Sequence, residues 1–295
     1  MKRTMSSSNI VQWPMASDTT FDDQQFAQWR ALLEERTGME VTAARRSFLE
    51  TSIRQRMKEA GFTGFQRYFE HVSNDSIISS EWYLLVDRLT VQETRFFRDA
   101  HAMELVAEHL RAIWQRSNDP VQVWSAGCAT GEEAYSLAMI MAELARRYPD
   151  QRHFSVTGSD ISAPAVLKAR LGTYTARKLE PVRAAWQQRY FTAEGNSMVV
   201  KPELSQRVCF TRLNVTETEQ APLQNMDVIY CQNLLIYFRR WRRRDIVTQF
   251  VDKLRPGGLL VLGPGELIDF KHDQLVAIPN KHCLAFLKKR SDSME

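Results

Sequence analysis

One stretch, residues 121–136 (VQVWSAGCATGEEAYS), constrains the fold more than any other. It reads as a strand, a glycine turn and a helix start in immediate succession. The alternating, β-prone run enters a turn in which Gly127 and Gly131 can take positive φ and let backbone approach a ligand closely. A second β-like run ends at Asp160, 29 positions after Gly131, which leaves room for one helix and a return strand. In a doubly wound sheet an acidic residue there lies beside the first strand's turn and accepts hydrogen bonds from ribose hydroxyls. Asp160 also stands where it would cap a helix starting near Ser162. Its distance from the glycine turn favours the ribose reading, and the two features together predict a nucleoside site.

The turn chemistry selects among nucleosides. A dinucleotide places its pyrophosphate against a free helix N-terminus, usually behind G-x-G-x-x-G. Here the spacing is G-x-x-x-G, and Glu132 and Glu133 follow directly. Carboxylates at that point repel a pyrophosphate but suit the sulfonium and ammonium of S-adenosylmethionine. The expected cofactor is therefore a methyl donor, and a nicotinamide dehydrogenase is disfavoured.

At 295 residues with 44% hydrophobic content, the chain can bury the core of one large domain plus a small one. No apolar run approaches the length of a membrane span and the N-terminus has no signal-peptide core, so a soluble, cytoplasmic protein without membrane insertion is expected. Cys128, Cys209, Cys231 and Cys283 are scattered, with no C-x-x-C pair, and point to neither a metal site nor disulfides. A formal charge of +4 is compatible with an acidic protein partner and far from a nucleic-acid footprint.

Residues 1–19, rich in Ser and Met, read as a mobile tail. Residues 20–90 read as a small all-helical domain. Phe26, Trp29, Leu32 and Leu33 recur at helical spacing before a C-cap at Gly38. A second helix is expected over about 43–60, a third on Phe65, Tyr68, Phe69 and Val72, and a fourth on Trp82, Leu84, Leu85, Val86 and Leu89. After a connector at 90–99 and a helix over about 100–116, strands near 121–126, 153–159, 226–231 and 258–262 alternate with helices near 132–147, 163–171 and 240–254. That is the pattern of a parallel α/β sheet over 91–295. Runs at 273–278 and 282–288 are expected to close it as an antiparallel pair. Residues 172–213 interrupt the alternation, with a helical piece near 182–190 and β-like runs at 198–200 and 208–210. They read as an inserted subdomain or as a third strand with a long approach.

Four segments, in this order along the chain, resemble the chemotaxis receptor methyltransferases, the CheR family. They are LTVQETRFFR at 89–98, the 124–136 turn, GSDI at 158–161 and CQNLLIYF at 231–238. The resemblance implies a helical N-terminal domain joined to a Rossmann-like class I methyltransferase sheet with a short inserted β-subdomain. It also implies methyl transfer from S-adenosylmethionine to receptor glutamates, leaving S-adenosylhomocysteine. By motif position it places Gln92, Thr94, Arg98, Gly127, Glu133, Asp160, Asn214, Val215, Gln232 and Asn233 around the cofactor, with Arg98 and Tyr237 nearest the transferring methyl. The family usually has Asn where this chain has Gln92 and Arg where it has Gln232. A backbone contact at Gln232 would survive that change.

The resemblance further implies docking of the helical domain on the cytoplasmic methylation helices of receptors, for which Arg54, Arg56 and Lys58 are the candidates. Arg54 and Lys58 are four apart and share a helix face. Some family members capture a receptor's C-terminal pentapeptide on a glycine-rich loop. The corresponding stretch here, 190–198, is short with one glycine, so no such tether is expected. The run RRWRRR at 239–244 is the densest positive cluster and receives no role from the sequence. Two rival readings are a nucleic-acid base methyltransferase and a signalling module that binds the cofactor without turnover. The first is disfavoured because no proline follows Asn233.

Overall fold

The first helix, α1 (Asp23–Thr37), starts on an Asp22 side chain that accepts from the Gln25 N–H and stops at Gly38, whose φ of 74° closes the last turn onto Glu34. A side chain at Gly38 would collide with Thr216, so glycine there both ends the helix and lets the chain pass close to the rest of the molecule. The expected helix at 43–60 divides into a 3₁₀ turn at Ala43–Arg45 and α2 (Arg46–Glu59). With α3 (Phe65–Asn74) and α4 (Ser80–Leu89) it buries Trp29, Ile53, Phe65, Tyr68 and Leu85 in a core of its own. Leu84, counted with the fourth helix's apolar set, is instead exposed. The computed structural model describes residues 20–76, 79–150 and 152–290. The tail expected at 1–19 lies outside them.

Helix α5 (Ala100–Trp114) is capped by Asp99 and leads into β1 (Val121–Ala126), α6 (Glu132–Ala145), β2 (Phe154–Asp160) and α7 (Ala163–Leu171). Then come β3 (Thr173–Thr175), α8 (Ala184–Tyr190), β4 (Phe191–Glu194), β5 (Ser197–Val200), α9 (Pro202–Ser205) and β6 (Val208–Arg212). The chain finishes with β7 (Met226–Cys231), α10 (Arg240–Lys253), β8 (Leu254–Leu262), β9 (Leu275–Ile278) and β10 (Leu284–Lys288).

Seven strands form one sheet in the order β6-β2-β1-β7-β8-β10-β9. The first five run parallel and the last two antiparallel, as the terminal pair was expected to do. Interleaved strand faces fill two layers. Val121, Val123 and Val156 pack with α5 and α6 on one side, while Trp124, Ile229 and Cys231 pack with Ile246 and Phe250 of α10 on the other. The 172–213 region is thereby divided. Its first part, β3-β5-β4, makes a separate three-stranded sheet, whereas β6 pairs with β2 from Val156↔Val208 to Asp160↔Arg212 and belongs to the main sheet. Strand β8 starts earlier than 258, because Pro256 and Gly257 sit within it at a register shift against β7. The chain leaves β1 toward β2 on one side and returns to β7 on the other. The crevice at the carboxyl ends of β1 and β7 is thus the switch point where ligands of such sheets bind.

Candidate cofactor and methyl-transfer site

A cavity of about 270 Å³ opens at that crevice. All eleven residues expected at the site line it: Gln92, Thr94, Arg98, Gly127, Glu133, Asp160, Asn214, Val215, Gln232, Asn233 and Tyr237. The two glycines of the turn have different duties. Gly127 (φ 82°) faces the cavity, and a Cβ there would press on Leu234 at 2.9 Å. Gly131 (φ 94°) does not line it, and a Cβ there would strike Ala169 and the Tyr174 hydroxyl, so this glycine serves helix–strand packing.

The two carboxylates after the turn also separate. Glu132, expected to add charge at the ligand, is fully buried behind the turn, where it accepts from Thr130 Oγ1 at 2.6 Å and pairs with Lys178 of the inserted subdomain. Glu133 alone faces the cavity, accepting from Ser125 Oγ at 2.7 Å. Burial pushes its carboxyl up to about 8; the Ser125 bond and the Arg98 charge oppose this, and Glu266 and Asp160 reinforce it.

Asp160 accepts from the Ala129 N–H at 3.0 Å and the Ser162 N–H at 2.9 Å, so it ties the glycine turn to the start of α7. Burial raises its carboxyl despite these bonds. The cap of α7 is Ser162, whose Oγ accepts from the Ala165 N–H. The Ile161 N–H also bonds this carboxylate, which still keeps acceptor capacity for a hydroxyl in the cavity. Ile161, Leu213 and Val215 give an apolar wall beside it.

Arg98 follows Phe97, whose φ of 52° is unusual for a bulky residue and is held by the Phe97 N–H donating to Ser136 Oγ at 3.0 Å. That bend turns the connector so that Arg98 faces the cavity while its Nη1 donates to the Glu93 carbonyl at 2.6 Å. Thr94 is not a helix cap, since Asp99 holds that position for α5. The Gln92 amide donates to Asp87 and, at 3.2 Å, to Ser162 Oγ, so its side chain joins α4 to α7 instead of reaching into the cavity.

On the β7 side, Gln232 is 6% exposed and its amide nitrogen has no partner among the described residues. Asn233 takes φ 59° and swings the chain toward Tyr237. Tyr237 is half-buried under the Arg45 guanidinium, 5.6 Å from its ring centroid. The sequence reading missed Glu266. Nearly fully buried, it accepts from the Leu235 N–H at 2.9 Å and the Gly263 N–H at 2.7 Å, clamping the loop that presents Asn233 and Tyr237. An acid in a Gly-Pro-Gly loop looks like surface from sequence, and only its place after a buried strand could have flagged it.

Of the docking candidates, Arg54 and Lys58 are exposed. Arg56 is not available. Its guanidinium holds both oxygens of Glu81 at 2.8 Å and also pairs with Glu59, while Tyr68 donates to Glu81 at 2.6 Å. Burial tends to raise the Glu81 carboxyl, but the Arg56 and Tyr68 bonds prevail and hold it below the usual range. Arg56 is a structural residue of the helical core.

A strand-end aspartate, a close-approach glycine, a carboxylate suited to a cation and an orphaned buried amide converge at a switch point. They define the cofactor cleft of a class I, S-adenosylmethionine-dependent methyltransferase. Two family descriptions cover nearly the whole chain, "CheR methyltransferase, all-alpha domain" over residues 24–90 and "CheR methyltransferase, SAM binding domain" over 92–283. The chain belongs to the CheR methyltransferase family. Relatives include the chemotaxis protein methyltransferase of Escherichia coli K12, 32% identical with 88% of each chain covered. That of Salmonella typhimurium LT2 is also 32% identical, over 85% of this chain and 86% of its own length.

Proposed function

We propose that this protein methylates glutamate side chains on the cytoplasmic methylation helices of chemotaxis receptors, forming glutamyl methyl esters. The observation that carries the reading is the convergence of Arg98 and Tyr237, from two distant segments, on the cavity that also holds Glu133 and Asp160. When bound, S-adenosylmethionine supplies an electrophilic methyl group on a sulfonium. Asp160 takes the ribose, with Asn214, Val215 and Ile161 along the base. Glu133 faces a positive group of the donor, and Gln232 and Asn233 complete the wall. Gln92 contributes through its backbone, because its amide is engaged elsewhere.

A glutamate side chain has a reference pKa of about 4.3 and is already an anion near neutral pH, so no general base is needed. The residues of this chain act by positioning. Arg98 orients the incoming carboxylate with the N–H groups that Glu93 does not take, and the Tyr237 hydroxyl offers one weaker hydrogen bond. Alignment of this kind lowers a barrier by several kcal/mol. Arg54 and Lys58 would steer the acidic helix. They lie about 14 and 20 Å along α2 from Arg45, which covers Tyr237. The β4–β5 hairpin turns on Gly195 and Asn196 alone, which supports the absence of a pentapeptide tether.

The test is incubation with tritiated S-adenosylmethionine and receptor-bearing membranes. Base-labile label on the receptor is expected; no label, or label stable to base, would refute the reading. Arg98→Ala should cut turnover by about 10²-fold and leave donor affinity nearly unchanged.

A further inference from the structure

The arginines of 239–244 do two different jobs. Arg239 bonds to Glu34 at 3.0 Å and lies 3.5 Å from Glu40, fastening α10 to the helical domain. Arg243 donates to the carbonyls of Phe238 at 2.7 Å, Glu266 at 3.2 Å and Ile236 at 3.3 Å, so one guanidinium gathers the loop after β7 and the loop after β8. Arg240, Arg242 and Arg244 have no carboxylate partner among the described residues, and Arg242 rests on the Trp241 ring at 4.3 Å. Cations in the first turn of a helix oppose its dipole. Glu34 and Glu40 answer the charge of Arg239 alone, which makes no side-chain cap bond, and within residues 239–245 Asp245 is the one acid. A local rule broken with only partial internal compensation marks a surface that meets something else.

Apolar side chains accompany the charge. Trp241 is 54% exposed, Ile236 50% and Ile268 58%; Trp241 stands on α10 two residues before Arg243, and Ile236 and Ile268 lie on the two loops that Arg243 gathers. Ile236 also lines the cavity beside Tyr237, so the patch begins at the cavity's own rim. Large apolar groups ringed by unpaired arginines fit a partner that is both acidic and amphipathic.

We infer that the start of α10, with Arg240, Trp241, Arg242, Arg244 and Ile268, is a docking surface for an acidic amphipathic helix of the substrate protein, the segment next to the methyl-accepting carboxylate. This rests on the proposed function for the identity of that protein. Continuity with the cavity rim favours the substrate over a membrane or nucleic acid. A helix whose carboxylate enters the cavity must cross this rim, and docking there orients the acceptor before transfer.

Two measurements on the full chain test it. In receptor methylation, Arg240→Glu/Arg244→Glu should raise KM for receptor about tenfold, with kcat and donor affinity within about twofold and most of the salt sensitivity lost. A KM like that of the unsubstituted protein overturns the proposal. In the second, a glutamate-rich helical peptide of about 20 residues, near 30 Å long, should change the fluorescence of the protein but not of Trp241→Phe. Absence of that difference overturns it, as does tighter binding to phosphatidylserine vesicles or duplex DNA than to the peptide. The peptide arm still decides the matter if no receptor is methylated, an outcome that would remove the proposed function alone.

Discussion

Glu133 is a carboxyl that the fold pushes toward its neutral form and that a cationic ligand would draw back to the anion. Its ordinary pKa is near 4.5 and its folded value about 8, so between those limits the ligand-free fold holds a proton that the unfolded chain has released. This group's contribution to ligand-free stability therefore falls as pH rises from about 5 to 8. Binding a cation works the other way, favouring the carboxylate and expelling the proton. Donor affinity should thus increase from pH 6 to 8, with a proton released at pH 7, and Glu133→Gln should abolish both. Calorimetry in two buffers of different ionisation heat reads the proton directly, and a pH-independent affinity would refute the assignment. Gln232 makes the opposite kind of prediction. Its orphaned, buried amide costs the ligand-free protein about 1–3 kcal/mol, so Gln232→Leu should leave stability unchanged or raised while weakening donor binding about tenfold. A variant that loses stability would show that the amide is satisfied within the fold.

Elements report what local pattern can encode. Gly38, the β1 turn and the periodic faces of α1 and α3 were legible because each is fixed by residues within a few positions of one another. The same holds for the site: Asp160 was readable from a strand end, Glu133 from the acidic helix start after the glycine turn, and Arg98 and Tyr237 from motif resemblance. What escaped depends on long-range pairing. The assignment of β6 to the main sheet rests on its register with β2, some fifty residues away. The duty of Gly131 rests on Ala169 and Tyr174, and Arg56 reads as a surface charge until Glu81 is placed opposite it. The inserted subdomain is a further case, held to the glycine turn by Lys178–Glu132 and by the Tyr174 hydroxyl donating to the Thr130 carbonyl at 2.8 Å. Glu132 is fully buried but Lys178 is 43% exposed, so solvent screening reduces the value of the pair. Lys178→Met should cost about 1–3 kcal/mol, and adding Glu132→Gln should recover most of it, as a double-mutant cycle by urea melts would show. Additive losses would mean that the contact carries no coupling.

Across the whole molecule the cavity is a joint product of both domains. Thr37, Met39 and Leu89 of the helical part face it together with the connector and the sheet crevice. A limited set of polar bonds crosses the seam, among them the Ser162 hydroxyl donating to Asp87 and the Gln92 amide donating to Ser162 Oγ at 3.2 Å. The Glu40 N–H donates to the Tyr237 carbonyl at 2.8 Å, the Asn214 amide to the Arg36 carbonyl at 3.4 Å, and exposed Arg239 pairs with Glu34. Inter-domain motion is the default for a seam that is not large and hydrophobic, and a partly exposed ion pair adds little restraint. A ligand touching both walls supplies what the seam lacks. At one hundred times its dissociation constant it stabilises the bound form by about 2.7 kcal/mol, shared by every segment it bridges. Amide exchange with saturating S-adenosylhomocysteine should therefore slow at residues 37–41 and 89–98 as well as at the 127–133 turn, while α3, remote from the cavity, exchanges as before. Protection confined to the sheet side would mean that the helical domain only neighbours the cofactor cleft, and that its place in catalysis must be sought in receptor binding alone.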